Sequence, residues 1–199
     1  MKILNVNPDK LFFVEETEEI WSKLKSIPRT GWLQWKVPNP ETVYEHVMSV
    51  IRLAVEWRDD MSLTEDEYIE LLKMIEVHDW PEVITGDQVI LGDEPDATEQ
   101  MKNKKITEAE AMKKLCRALS HGGEISALYD RYENSDDIVA QHCRQIEKFQ
   151  AILLAFDYEH RYNKKGLTYE FLKYSSPKIK IPFLVARMEQ VAKKVDFAL

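Results

Sequence analysis

Along all 199 residues, apolar side chains recur at steps of three and four, strand-like alternation is weak, and only six residues are glycine. Such spacing lays one apolar stripe along each of a series of helices, so the chain reads as all-α. No repeat, low-complexity stretch or linker divides it, and its length suits one core, so residues 1–199 read as a single domain.

Local signals then divide the chain. A first helix is expected over about residues 9–26, with Ile20, Leu24 and Ile27 inward and Pro28 as its stop. Asn39-Pro40-Glu41 has the form of an N-cap, a proline at the first helical position and an acid in the first turn. The helix after it carries Val43, Val47, Val50, Ile51 and Ala54 on one stripe, with His46 beside it. Thr64 and Glu67 have capping-box spacing and open a third helix through Leu71, Leu72 and Ile75. Residues 84–105, with Gly86, Gly92 and Pro95, read as loop. Thr107-Glu108-Ala109-Glu110 reads as another capping box, whose helix ends at His121-Gly122-Gly123. A short helix over 124–132 follows, then a long one capped by Asp136 and running to about His160. A short helix near 169–174 and a last one from Pro182, with Leu184, Met188 and Val191, read as packing or oligomer contacts.

The formal net charge of −8 argues against a general nucleic-acid surface, because phosphate backbones reward positive charge. It leaves room for a small phosphorylated substrate if a metal and a local cation offset the field. No apolar run approaches the ~20 residues of a membrane span, and Met1-Lys2-Ile3-Leu4-Asn5 does not open a signal peptide. Cys116 and Cys143 fall in helical patterns and read as buried thiols, which points to a cytoplasmic protein.

The chemistry concentrates in His78-Asp79-Trp80-Pro81-Glu82-Val83-Ile84-Thr85-Gly86-Asp87. A His-Asp pair at the end of a buried helix is poor core material, because an unpaired buried carboxylate costs several kcal/mol. A divalent cation is an economical partner for an imidazole nitrogen and a carboxylate oxygen. Pro81 starts a turn that lets Glu82 and Asp87 curl back toward the pair. Taken alone, His46 is a core histidine, and Glu147, oddly placed beside Ile146, is either a marginal surface acid or a buried one in need of a cation. His121, His142 and His160 lack acids in a comparable pattern and read as structural.

These stretches together resemble the HD-domain superfamily of metal-dependent phosphohydrolases, and within it the HD-domain 5′-deoxynucleotidases. The matching segments are Pro28-Arg29-Thr30-Gly31-Trp32, Glu41-Thr42-Val43-Tyr44-Glu45-His46, the His78–Asp87 string and Arg144-Gln145-Ile146-Glu147, within roughly residues 18–160. The resemblance implies an HD-domain helical bundle that removes phosphate from (deoxy)nucleoside 5′-monophosphates by metal-activated water, and pairs as a homodimer. It implies a divalent ion (Mn2+, Co2+, Mg2+ or similar) on His46, His78, Asp79 and Glu147, where the family normally has aspartate in place of Glu147. It further implies Glu82 as acid/base, Asp87 as a second acid, Arg29 on the phosphate and Trp32 near sugar or base. Trp35 is left to core packing. Two rivals stand beside this reading: an HD phosphohydrolase of another phosphate ester or nucleotide, and a nucleotide-binding relative that has lost turnover.

Overall fold

Threonine and aspartate side-chain caps set where three of the long helices begin. In a computed structural model of the chain, residues 12–13, 17–90 and 95–199 are described. Their helices are α1 (Glu18–Leu24), α2 (Thr30–Gln34), α3 (Val43–Glu56), α4 (Glu65–Val77), α5 (Glu82–Thr85), α6 (Ala97–Cys116), α7 (Gly122–Asn134), α8 (Ile138–Tyr162), α9 (Leu167–Ser175) and α10 (Pro182–Lys194). Among the described residues there is no strand, only an isolated bridge between Pro28 and Thr42. The architecture is therefore all-α, as the periodicity implies.

Thr64 and Glu67 close a capping box at the start of α4, as their spacing predicts. Elsewhere the ends move. The cap of α3 is Thr42, in a capping box with Glu45, and not Asn39. Asn39 instead turns the chain at φ +50, and residues 41–43 pair with 27–29: the Arg29 N–H donates to the Glu41 carbonyl and the Val43 N–H to that of Ile27. This pairing delays the helix and lays Arg29 beside the start of α3. The expected first helix shrinks to α1; residues 9–11 and 14–16 lie outside the described set, and the Phe12 and Phe13 N–H groups donate to the buried Glu76 carboxylate.

The expected loop over 84–105 is a correction too, because α6 begins at Ala97 and runs for 20 residues. Thr107 therefore lies inside a helix, where its hydroxyl bonds back to the Asn103 and Lys104 carbonyls instead of capping. That helix stops at Cys116, and Gly122 opens α7. A Cβ on Gly122 would stand 1.9 Å from the Cys116 carbonyl oxygen, so this corner admits only glycine. Asp137, not Asp136, caps α8 through the Val139 and Ala140 N–H groups.

The 25-residue α8 is the central member, packed against α3, α4, α7, α9 and α10. Leu71, Leu72, Ile75, Val47, Val50, Ile146 and Ile152 are buried between α3, α4 and α8. Each such side chain contributes about 1.5–3 kcal/mol on burial. A second cluster of Trp32, Val37, Ala155, Tyr158 and Leu167 fastens α2 to α8 and α9. After α4, the fully buried Trp80 plugs the turn, meeting Phe13 and Trp21 edge-on at 6.2 and 5.7 Å between ring centroids. The residues on either side of Trp80 are thereby fixed against the core.

Candidate active site

Three positions on two helices converge at one corner. His46 sits in the first turn of α3, His78 is the C-terminal cap of α4, and Asp79 follows it. Their ligand atoms all lie within 4.8 Å of one another, a set that could hold a metal ion. The Asp79 Oδ2 atom is 3.3 Å from His78 Nε2 and 3.7 Å from His46 Nε2.

The orientation of each ring is fixed from behind. His46 Nδ1 lies 2.8 Å from Gln150 Oε1, and His78 Nδ1 2.6 Å from the Ile75 carbonyl oxygen. Gln150 can only accept here, because its amide N–H donates to Glu41 Oε2 at 3.0 Å. Both Nδ1 atoms therefore carry a proton, so each Nε2, facing Asp79, is the nitrogen left to offer a lone pair. For His78, burial opposes the charged ring, but the Asp79 carboxylate outweighs it and raises the pKa. Those two Nε2 atoms are buried and have no hydrogen-bond partner. Orphaned buried acceptors facing a carboxylate fit a cation, so the donors present suit a divalent metal. Burial, with Arg29 nearby, lowers the His46 pKa to about 3, so that ring is neutral as a ligand must be.

The second layer is continuous. The Trp32 indole N–H donates to Glu41 Oε1 at 3.1 Å, and the Glu41 N–H donates to the Tyr158 hydroxyl oxygen. Burial raises the Glu41 carboxyl to about 7, against the pull of Arg29 and the two side-chain donors. The sequence marks Glu41 only as a first-turn acid within a matching segment and does not single out Gln150. The only signals for them were a buried-pattern amide on the α8 stripe and an acid shortly before His46.

Acids and a cation line the mouth. Arg29 Nη1 lies 3.1 Å from Asp79 Oδ2 and 3.8 Å from Asp87 Oδ1. Burial opposes its charge, but Asp87, Asp79, Glu82 and Glu41 outweigh that and keep the guanidinium protonated. The Asp87 carboxylate also accepts from the Thr30 N–H, and its carbonyl from the Thr30 hydroxyl. Glu82, in the short α5, is 3% exposed and its Oε2 has no partner. Burial, and then the charges of Asp79 and Asp87, push its pKa well above the carboxylate range.

Glu147 is not in the three-residue set. Its Oε1 takes the Lys148 ammonium and, at 3.4 Å, the Tyr132 hydroxyl. Burial opposes its charge, yet Lys148, His78 and His46 outweigh that and lower its pKa. Trp32 is 1% exposed and stacks on Phe171 with centroids 4.4 Å apart. It nonetheless borders a cavity of about 610 Å³ with Arg29, Val89, Ile90, Met101 and Phe171. Trp35 is half-buried and donates to Glu170. His142 and His160 bond to carbonyls of their own helix and, like the exposed His121, stand outside the cluster.

Two buried imidazoles and a carboxylate with open Nε2 atoms, on an all-helical frame, define a helical metal-site protein. A family model described as HD domain matches residues 21–183, and the chain belongs to the HD-domain family. It is similar to the 5′-deoxynucleotidase HDDC2 of Mus musculus, 31% identical over 171 residues, which are 85% of this chain and 81% of that one. The 5′-deoxynucleotidase hdd1 of Schizosaccharomyces pombe is 30% identical over 150 residues, 71% of this chain and 70% of that protein. Among solved structures, a conserved hypothetical protein from Pyrococcus furiosus matches with a TM-score of 0.66 at 28% identity, covering 88% of this chain and 96% of that one.

Proposed function

We propose that the protein is a metal-dependent phosphomonoesterase that removes phosphate from deoxynucleoside 5′-monophosphates. The observation that carries this is the adjacency of three things. They are the His46–His78–Asp79 corner, the buried Glu82 with a free oxygen, and Arg29 shared between that corner and the 610 Å³ cavity. The likeness to curated 5′-deoxynucleotidases supports the substrate class.

His46, His78 and Asp79 would hold the divalent ion, with Glu147 as a further carboxylate whose charge acts on both histidines. When bound, the ion supplies positive charge against phosphoryl oxygens and acidifies an adjacent water. Arg29 binds the phosphate with its planar fork, while Asp87 and Asp79 hold that fork in place. Glu82, whose carboxyl burial holds well above the usual carboxylate range, would relay a proton through its free Oε2 from the attacking water to the leaving O5′, as the water oxygen bonds to phosphorus and the P–O5′ bond breaks. The nucleoside occupies the cavity, where Val89, Ile90, Met101 and Phe171 exclude water and the Trp32–Phe171 stack forms a stiff wall. We infer in addition that the protein is cytoplasmic and pairs as a homodimer, the pairing being checked by light scattering on the purified protein.

The deciding experiment is a phosphate-release screen over 5′- and 3′-monophosphates and triphosphates with Mn2+, Co2+ and Mg2+. Release is expected from 5′-deoxynucleoside monophosphates, with Arg29→Ala raising KM through lost phosphate positioning. Equal release from 3′-monophosphates, or Arg29→Ala matching wild type, refutes the assignment. Nucleotide binding without any release favours the relative that has lost turnover.

A further inference from the structure

A phosphate dianion entering this mouth meets Asp79, Glu82 and Asp87, and Arg29 already serves two of those carboxylates. A second cation stands close by. Lys104, on α6, donates from Nζ to the Gln88 carbonyl at 2.8 Å and lies 3.5 Å from Glu108 Oε1. Gln88 directly follows Asp87, so the ammonium sits one residue beyond the site's second acid. Its side chain is 27% exposed and borders a cavity of about 520 Å³, which Thr30 and Asp87 also line. That cavity brings α6 alongside Thr30 and Asp87, the residues next to and facing Arg29.

The surroundings leave this charge available. An ammonium has three donors, and the Gln88 carbonyl takes one without offsetting the charge. Glu108, its ion-pair partner, is raised by burial to about 7, so near neutrality it is only a partial counter-charge. Burial opposes the Lys104 charge, but Glu108, then Glu82, Asp79 and Asp87 outweigh it and keep the ammonium protonated.

We propose that Lys104 is a substrate-binding residue: with Arg29, it contacts the phosphoryl oxygens of the substrate and of the inorganic phosphate released. This rests on the reading above that the site takes phosphate monoesters. It gives α6 a direct part in recognition, which its spacing from the His-Asp pair does not announce.

The test compares metal-loaded wild type with Lys104→Met, Lys104→Arg, Lys105→Met and the double variant Lys104→Met/Glu108→Gln. Calorimetry reads the binding of inorganic phosphate, and steady-state assays on a deoxynucleoside 5′-monophosphate separate KM from kcat. Lys104→Met is expected to weaken phosphate binding about tenfold or more, and to raise KM similarly, with metal content unchanged. Lys104→Arg recovers most of the binding. Lys105→Met, on an exposed neighbour paired with Glu133, behaves as wild type.

The double variant removes both members of the ion pair, so it folds even if Lys104→Met alone leaves Glu108 costly to bury. It is expected to regain thermal stability while phosphate binding stays weak. Phosphate affinity within about twofold of wild type in Lys104→Met, or restored in the double variant, assigns Lys104 a purely structural part and overturns the proposal. Wild type that hydrolyses monophosphates while Lys104→Met equals it overturns this inference alone. Wild type that neither hydrolyses them nor binds phosphate overturns both.

Discussion

The two sides of the site are built differently. On the α3–α4–α8 side, both histidine rings are held by buried partners, Gln150 behind His46 and the Ile75 carbonyl behind His78, and Trp80 plugs the core next to Asp79 in the chain. On the side formed by residues 87–90 and α6, contacts run to exposed or half-exposed groups, among them Gln88, Val89, Met101 and Lys104. The lesson is a separation of duties. Atoms that must meet a metal at fixed distances are set by buried hydrogen bonds before any ligand arrives. On the proposed function, the groups that would meet the varying part of a substrate sit where side chains can still adjust.

If that separation holds, damage should be absolute on the first side and graded on the second. The largest effect is expected from His78→Ala, which removes one of the two open Nε2 atoms. Metal content by mass spectrometry should fall from about one ion per chain to near zero, with phosphate release at background. Full metal retention in that variant would falsify the ligand assignment.

Glu82→Ala comes next and separates proton handling from metal binding. Metal and fold should be kept while kcat falls about 10²- to 10⁴-fold. Near-normal turnover by the metal-loaded variant strips Glu82 of its acid/base role.

Two α8 variants sharpen the boundary between ligand and support. Gln150→Leu deletes the acceptor behind His46 and should weaken metal affinity about 10- to 100-fold, read by chelator competition. Glu147→Gln, three residues earlier, should weaken it at least as much if its carboxylate reaches the ion, and Glu147→Asp should keep part of the affinity. Wild-type affinity in Glu147→Gln confines that carboxylate to its Lys148 and Tyr132 contacts.

The smallest effect belongs to the α6 side. Burial raises the Glu108 carboxyl from 4.5 to about 7, so the folded protein binds this proton more tightly than the unfolded chain does. Its contribution to stability is full below about pH 4.5 and is lost as pH rises through about 7, on the order of 1–3 kcal/mol. Glu108→Gln should flatten that part of the stability–pH curve in denaturant titrations. An unchanged slope would move the pH dependence to another buried acid.

Much of this was legible in the chain. Periodicity gave the helices and the His78–Asp87 string marked the corner, because these are local patterns with a chemical reason, whereas His46 and Arg29 read locally as a core histidine and a loop arginine and entered only through the family resemblance. Errors arose where local form is ambiguous. Asn39-Pro40 looks like a helix start, but backbone pairing of residues 27–29 with 41–43 holds that stretch extended until Thr42. Thr107 and Glu110 have capping-box spacing, yet the same spacing occurs inside α6, where the hydroxyl bonds backward. The Gln150–His46 and Lys104–Gln88 contacts join residues 104 and 16 apart, and no local pattern encodes them.

The length of α8 has one more consequence. Glu41 is gripped twice by this helix, at its carboxylate by Gln150 and at its N–H by Tyr158, eight residues on. One inserted residue between those two would rotate everything beyond it by about 100° and advance it about 1.5 Å. Both grips could not then be kept, and Glu41 would release either its backbone or its hold on Gln150. α8 is therefore a ruler whose graduations cannot be respaced. Natural or engineered variation in length should spare residues 150–158.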